Sequence, residues 1–189
     1  LYVEAELFSG GYQLRVKKGV PPSGTELGTS AGKRAGFKCI MSGAPIDYSY
    51  IRAEGKGGRM GIRLMGVVLD TPLGRTYISP NEKLESLGNT QEFTWRPDAE
   101  MPKKHRNFQP PVYGMNSVGD LFTNRQLVML NTFCDLIDEV REKIKREISP
   151  DSFIEGYPEA VTHYLALTVS KLTSYHCTLG IWRAPEGKS

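Results

Sequence analysis

The chain has 189 residues, 39% of them apolar and 24% charged, which suits one domain or two small ones and argues against a wholly disordered polymer. No apolar run approaches the roughly 20 residues of a membrane-spanning helix. The net charge of +3 is unevenly placed: residues 11–75 carry eleven Lys and Arg against four Asp and Glu, a local balance of +7. A basic half of this kind serves a polyanion such as nucleic acid, or is an ordinary solvated surface. Three widely spaced cysteines, Cys39, Cys134 and Cys177, do not form a disulfide framework. They read as reduced thiols, so a cytoplasmic location is the expectation.

In chain order, Tyr12-Gln13-Leu14-Arg15-Val16-Lys17 alternates like a strand, with Tyr12, Leu14 and Val16 on one face. A Pro-Pro-Ser-Gly loop follows, then a small polar loop from 28 to 36, then strand candidates at 37–41 and 46–52. Runs at 64–69 and 75–79 flank Asp70-Thr71-Pro72-Leu73-Gly74, a hairpin with a turn of several residues. Residues 81–88 suit a short helix. Between 97 and 119, Pro97, Pro102, Pro110, Pro111, Gly114 and Gly119 exclude a long helix.

From Thr123 the texture changes. Thr123 and Gln126 form a capping-box signature. Leu127, Leu130, Phe133, Cys134, Ile137, Val140, Ile144 and Ile148 then recur at three- and four-residue steps, one face of a long helix that Ser149-Pro150-Asp151 ends. A second helix is expected from about Tyr157 to Cys177, with Tyr157, Ala160, Val161, Tyr164, Leu165, Thr168, Leu172 and Tyr175 as its packing stripe. It is apolar around more than half its circumference, so it requires cover on several sides, from the β-rich half or from a partner, self-association included. The expected fold is α+β: a small antiparallel β module at 1–96, an irregular crossover at 97–119, and an antiparallel two-helix hairpin within 120–189.

Several chemical motifs fail on inspection. Gly187-Lys188-Ser189 ends like a phosphate-binding loop, but Trp182 stands where its first glycine belongs. Glu54-Gly55-Lys56-Gly57-Gly58-Arg59-Met60-Gly61 has the glycine density of a cofactor loop, without a good strand before it or the third glycine in place. It reads as a turn between strands, or as a backbone nest that contacts phosphate together with Arg52, Lys56 and Arg59. Cys39-Ile40-Met41-Ser42-Gly43 is half of a zinc knuckle with serine in the second cysteine position, and no second ligand pair completes it. Cys134 and Cys177 fall within the expected helices, where buried structural thiols are usual. No catalytic residue, bound cofactor or metal is expected in this chain.

Four strings carry a family resemblance. They are Tyr50-Ile51-Arg52-Ala53 through Met65; Pro102 through Gly114, with Arg106-Asn107-Phe108 and Tyr113-Gly114-Met115; Gly119-Asp120-Leu121-Phe122-Thr123-Asn124-Arg125-Gln126-Leu127; and Tyr164-Leu165-Ala166-Leu167 followed by Thr178-Leu179-Gly180-Ile181-Trp182. In this order and spacing, from about Phe37 to Trp182, the chain resembles the middle of adenine-specific DNA methylases that carry a zinc-ribbon-like insert. That resemblance implies a parent enzyme using S-adenosylmethionine, whose cofactor motif (Asp-Pro-Phe type) and Asp-Pro-Pro-Tyr motif do not occur here. The Cys39-x-x-Ser42 string departs from the paired cysteines of that insert. The chain opens on Leu1 and closes on Glu186-Gly187-Lys188-Ser189, so an internal, non-catalytic segment is the expectation. Such a segment either contributes to DNA contact or target choice, or is a scaffold with no ligand of its own. Arg52, Lys56, Arg59, Arg63, Lys103, Lys104, Arg106 and Arg125 are the candidates for DNA phosphates.

Overall fold

The computed structural model describes residues 1–32, 35–89, 92–103, 106–149 and 154–180. Lys104, Pro150, Asp151 and Trp182 lie outside these residues. The fold is α+β, with three two-stranded antiparallel sheets and four helices of eight residues or more among the described residues. It divides into two compact units: Leu1–Leu87 with Pro102–Asn116, and Gly88–Met101 with Ser117–Ser189. No described helix is long and apolar enough to cross a membrane.

In the first unit, β1 (Tyr2–Phe8) pairs with β2 (Gly11–Lys17) across a two-residue turn in which Gly10 has φ 89°. The register pairs Val3 with Val16, Ala5 with Leu14 and Leu7 with Tyr12, which gathers the apolar side chains on one face as the alternation predicts. On the other face Lys17 Nζ lies 2.6 Å from Glu4 and 3.0 Å from Glu6. Two-residue strands β3 (Phe37–Lys38) and β4 (Pro45–Ile46) form a second hairpin.

The strand expected at 46–52 is instead almost entirely helix. Helix α1 (Tyr48–Lys56) begins at once after β4 because Asp47 caps it: one carboxylate oxygen accepts from the Tyr50 N–H at 2.7 Å and the Ser49 hydroxyl at 2.6 Å. The local cap overrides the strand preference of Tyr-Ser-Tyr-Ile.

The third hairpin joins β5 (Val67–Thr71) to β6 (Gly74–Ile78). Thr71 pairs directly with Gly74, so the turn is only Pro72-Leu73, tighter than the sequence suggests. Gly74 at φ 101° supplies the reversal. The Ser79 hydroxyl accepts from the Val16 N–H at 3.0 Å and ties this hairpin to β2. Helix α2 (Glu82–Asn89) follows, with the Asn81 side chain accepting from the Leu84 N–H at 2.9 Å.

The second unit is built on α3 (Asn124–Glu147) and α4 (Tyr157–Thr173). The predicted capping box opens α3: Gln126 N–H donates to Thr123 Oγ1 at 3.3 Å, and Thr123 N–H donates to Gln126 Oε1 at 2.9 Å. The helices run antiparallel. Thr178, beyond the end of α4, donates its N–H to the Leu121 carbonyl at 2.7 Å, just before α3 begins. At the opposite end Lys145 stands 3.9 Å from Glu159.

The packing face of α4 is only in part the expected one, keeping Val161 and Leu172 of the stripe. Pro158 and Thr162 are buried, with Val161, Val169, Leu172 and Thr173 half-buried, whereas Tyr157, Tyr164, Leu165 and Tyr175 are exposed. Compact side chains allow α4 to lie against α3, and its large ones turn outward. The helix also stops at Thr173, so Cys177 lies past its end, and Cys134 is exposed rather than buried.

Leu127 is 2% exposed. Leu127→Ala is expected to destabilise the helical unit by about 2–5 kcal/mol through the cavity it leaves, and Thr123→Ala by about 1 kcal/mol through the lost cap. Urea titrations followed by circular dichroism at 222 nm measure both. Equal midpoints for the two variants and the parent would contradict this account of the core.

Candidate nucleic-acid interface

The charge follows the two units. By sequence, the first holds fifteen Lys and Arg against eight Asp and Glu, a net +7, and the second holds nine against thirteen, a net −4. Six of the eight basic residues singled out above, Arg52, Lys56, Arg59, Arg63, Lys103 and Arg106, belong to the first unit. Arg125 belongs to the second, exposed in the first turn of α3, at the positive end of the helix dipole. Lys104 lies outside the described residues.

Backbone contact brings the two basic segments of the first unit together. A Cβ on Gly55, in α1, would collide with the Tyr113 carbonyl oxygen, and one on Gly114 would collide with the carbonyl of Gly55. Only glycine permits so close an approach. The tight 3-10 turn Pro110–Tyr113 therefore lies directly on α1, and the segment carrying Lys103 and Arg106 joins the unit carrying Arg52, Lys56 and Arg59.

The glycine-rich string is the end of α1, not a phosphate cradle. Gly58, at φ 68°, donates its N–H to the Gly55 carbonyl at 3.1 Å, and Arg59 N–H donates to Glu54 O at 2.9 Å. These two bonds form a Schellman cap. Gly57 N–H also turns back on Ala53. The N–H groups that a nest would offer to phosphate are thus spent on the helix's own carbonyls. A helix C-terminus, moreover, carries partial negative charge. Asp47 eleven residues before Gly58 is the sequence signal for this short capped helix.

The basic residues differ in how they are held. Arg59 grips Glu54 with two bonds, Nε to Oε2 at 2.8 Å and Nη2 to Oε1 at 2.9 Å, and this pairing holds the Glu54 carboxyl below its ordinary range. Arg63 donates to Glu85 at 2.6 Å and lies 4.9 Å from the centre of the Tyr12 ring. Arg52 is half-buried with its guanidinium 5.6 Å from the Tyr113 ring centre. Lys56, Lys103 and Arg106 are exposed.

Beside α1 lies a feature the sequence reading missed, an open groove of about 580 Å³. Phe37, Ile46 and Ile51 contribute apolar surface, and Tyr12, Tyr48, Tyr50 and Tyr113 contribute aromatic rings. Phe37 meets Tyr48 edge to face, with ring centres 5.7 Å apart. Tyr50 is 56% exposed and Tyr48 37%. Lys38 and Met60 also line the groove. Tyr48 and Tyr50 occupy the first turn of α1, where the Asp47 cap fixes the backbone that carries them.

The half-knuckle forms the turn between β3 and β4. Cys39 N–H donates to the Ala44 carbonyl at 2.8 Å, Gly43 N–H donates to the Cys39 carbonyl at 2.8 Å, and Gly43 takes φ 71°. The Ser42 hydroxyl, then the Ser42 and Met41 N–H groups, hold the thiol below its ordinary pKa. Among the described residues, no group of three His, Cys, Asp or Glu side chains is placed to hold a metal ion.

Compared with known protein families, curated proteins and solved structures, the chain matches none.

Gly55→Ala is expected to destabilise the first unit by about 1–3 kcal/mol, the scale of forced overpacking. Gly61→Ala serves as the control, because a Cβ there meets no atom within 4 Å. Denaturant midpoints of the two variants decide the point, and equal midpoints would show that the backbone contact does not hold the unit together.

Proposed function

We propose that this chain is a DNA-contacting, non-catalytic segment of a larger adenine-specific DNA methyltransferase that uses S-adenosylmethionine. The observation that carries the DNA-contacting part is the concentration of positive charge, +7, in one compact unit. A duplex is a dense line of phosphates, and a compact cationic body attracts it independently of base sequence. Exposed Lys56 and Arg106 supply the side chains nearest to hand. Arg59 and Arg63 contribute only by exchanging Glu54 and Glu85 for phosphate oxygens. The methyltransferase part rests on the four strings, two of which meet at the Gly55–Tyr113 contact.

A second reading attaches to the helical unit alone. The exposed face of α4, with Tyr164 at 74% and Leu167 at 66%, favours an assembly surface, for the rest of the parent enzyme or for a second copy. On this reading, light scattering of the chain shows an average mass that rises with concentration. A concentration-independent monomer mass would count against it.

Duplex binding is tested by fluorescence anisotropy at several salt concentrations. The expected log–log slope is about −3.6 to −4.5, the range for four or five released counterions. Exchanging Lys56 and Arg106 for Glu is expected to flatten it. Absence of binding at low salt would refute DNA contact. Calorimetric titration of the chain with S-adenosylmethionine is expected to show no saturable heat, since the cofactor motif does not occur in it.

A further inference from the structure

A cationic surface alone explains attraction to phosphate, not the aromatic groove beside α1. Sugar–phosphate backbone gains nothing from a groove lined by Phe37, Ile46, Ile51, Tyr48 and Tyr50. A paired duplex hides the faces of its bases and presents only their edges. Unpaired bases expose flat apolar faces, and aromatic rings set in a basic surface are what such faces stack on. Two other occupants fit less well. A cationic ligand would need the carboxylate in the groove, but Glu54 is already held by both prongs of Arg59. Burial within the unit's own core does not account for Tyr50, which is 56% exposed, or for Met60 at 60%.

We infer that the groove binds unpaired nucleotides of a nucleic-acid strand, with Tyr50 as the main stacking platform and Tyr48 as the second. Lys38 lines the same groove and stands ready for the strand's phosphates. Tyr12 and Tyr113 have a different task. Arg63 and Arg52 lie over these two rings, 4.9 and 5.6 Å from their centres, so the rings engage cations instead of stacking bases. This inference rests on the reading that the first unit contacts nucleic acid, and it adds that the preferred form is single-stranded.

The test uses the 189-residue chain and a labelled 12-nucleotide oligonucleotide, offered single-stranded as DNA or RNA and as a DNA duplex. At least one single strand is expected to bind more tightly than the duplex. Tyr50→Ala is expected to weaken single-strand binding roughly 5- to 100-fold and to leave duplex binding unchanged. Tyr50→Phe, which keeps the ring, is expected to stay within about twofold of the parent. A second readout needs no variant: a single strand carrying 2-aminopurine loses fluorescence when its base stacks on the parent protein. Unchanged single-strand affinity in Tyr50→Ala, or 2-aminopurine fluorescence that does not fall at saturating protein, overturns the stacking groove. If duplex binding with a salt slope persists in that case, the broader DNA-contact reading survives. If neither form binds at low salt, both fall together.

Discussion

The contact on which the basic unit depends is between two backbones. Gly55 in α1 and Gly114 after the 3-10 turn approach so closely that neither position has room for a Cβ. That approach holds the turn at 110–114 against α1. With it, Tyr113 comes beside Arg52, Lys103 and Arg106 join the unit of Lys56 and Arg59, and one wall of the aromatic groove is set. Among the described residues, the buried large apolar side chains, Met101, Leu127 and Leu130, all lie in the other unit. Glycine contact, hairpin hydrogen bonds and cation–aromatic stacking replace a conventional core.

The helical unit is organised by a different interaction. Asn131 is 8% exposed and engaged through both amide atoms: its Oδ1 accepts from Thr94 N–H at 3.0 Å, Thr94 Oγ1 at 2.7 Å and Trp95 N–H at 2.7 Å, and its Nδ2 donates to the Trp95 carbonyl at 2.9 Å. One polar side chain therefore fastens the segment at 94–95 to the second turn of α3. A buried amide so satisfied is specific, because any shift of register would leave polar groups unpaired. Nearby, the Val118 N–H donates to the Ala99 carbonyl, and Arg96 pairs with Asp120 at 2.6 Å. The unit thus closes at the base of the helix pair, while the outer face of α4 stays uncovered.

What the sequence made legible was local. The Thr123–Gln126 box marked the start of α3 to the residue, and the alternation of Tyr12, Leu14 and Val16 placed those side chains on one face. What it concealed was relational. The run at 46–52 looks like a strand because Tyr and Ile favour strands, yet the Asp47 cap and the Schellman end at Gly58 enclose a single short helix. The outward turn of Tyr157, Tyr164 and Leu165 was hidden because hydrophobicity names the residues that want cover, not the face narrow enough to allow close packing. The groove was hidden because Phe37, Tyr48 and Tyr113 converge from three separate stretches. Of the basic residues, charge was readable and engagement was not. Nothing in the spacing revealed that Arg59 grips Glu54 or that Arg63 grips Glu85.

Those two ion pairs bear on how the proposed interface would work. A net charge of +7 already counts Glu54 and Glu85, so long-range attraction toward a polyanion survives the pairing. Local grip does not survive it equally. An arginine held by a carboxylate must give up that partner before it gains a phosphate, and at an exposed site the exchange yields little. Attraction of this kind hastens arrival and fades with salt. Residence needs contacts whose strength does not depend on exchanging one anion for another, and stacking on an aromatic ring is such a contact. On the proposed reading, the charge and the groove therefore have separate tasks. The cationic surface draws a strand in, and the rings held by the Asp47 cap keep it.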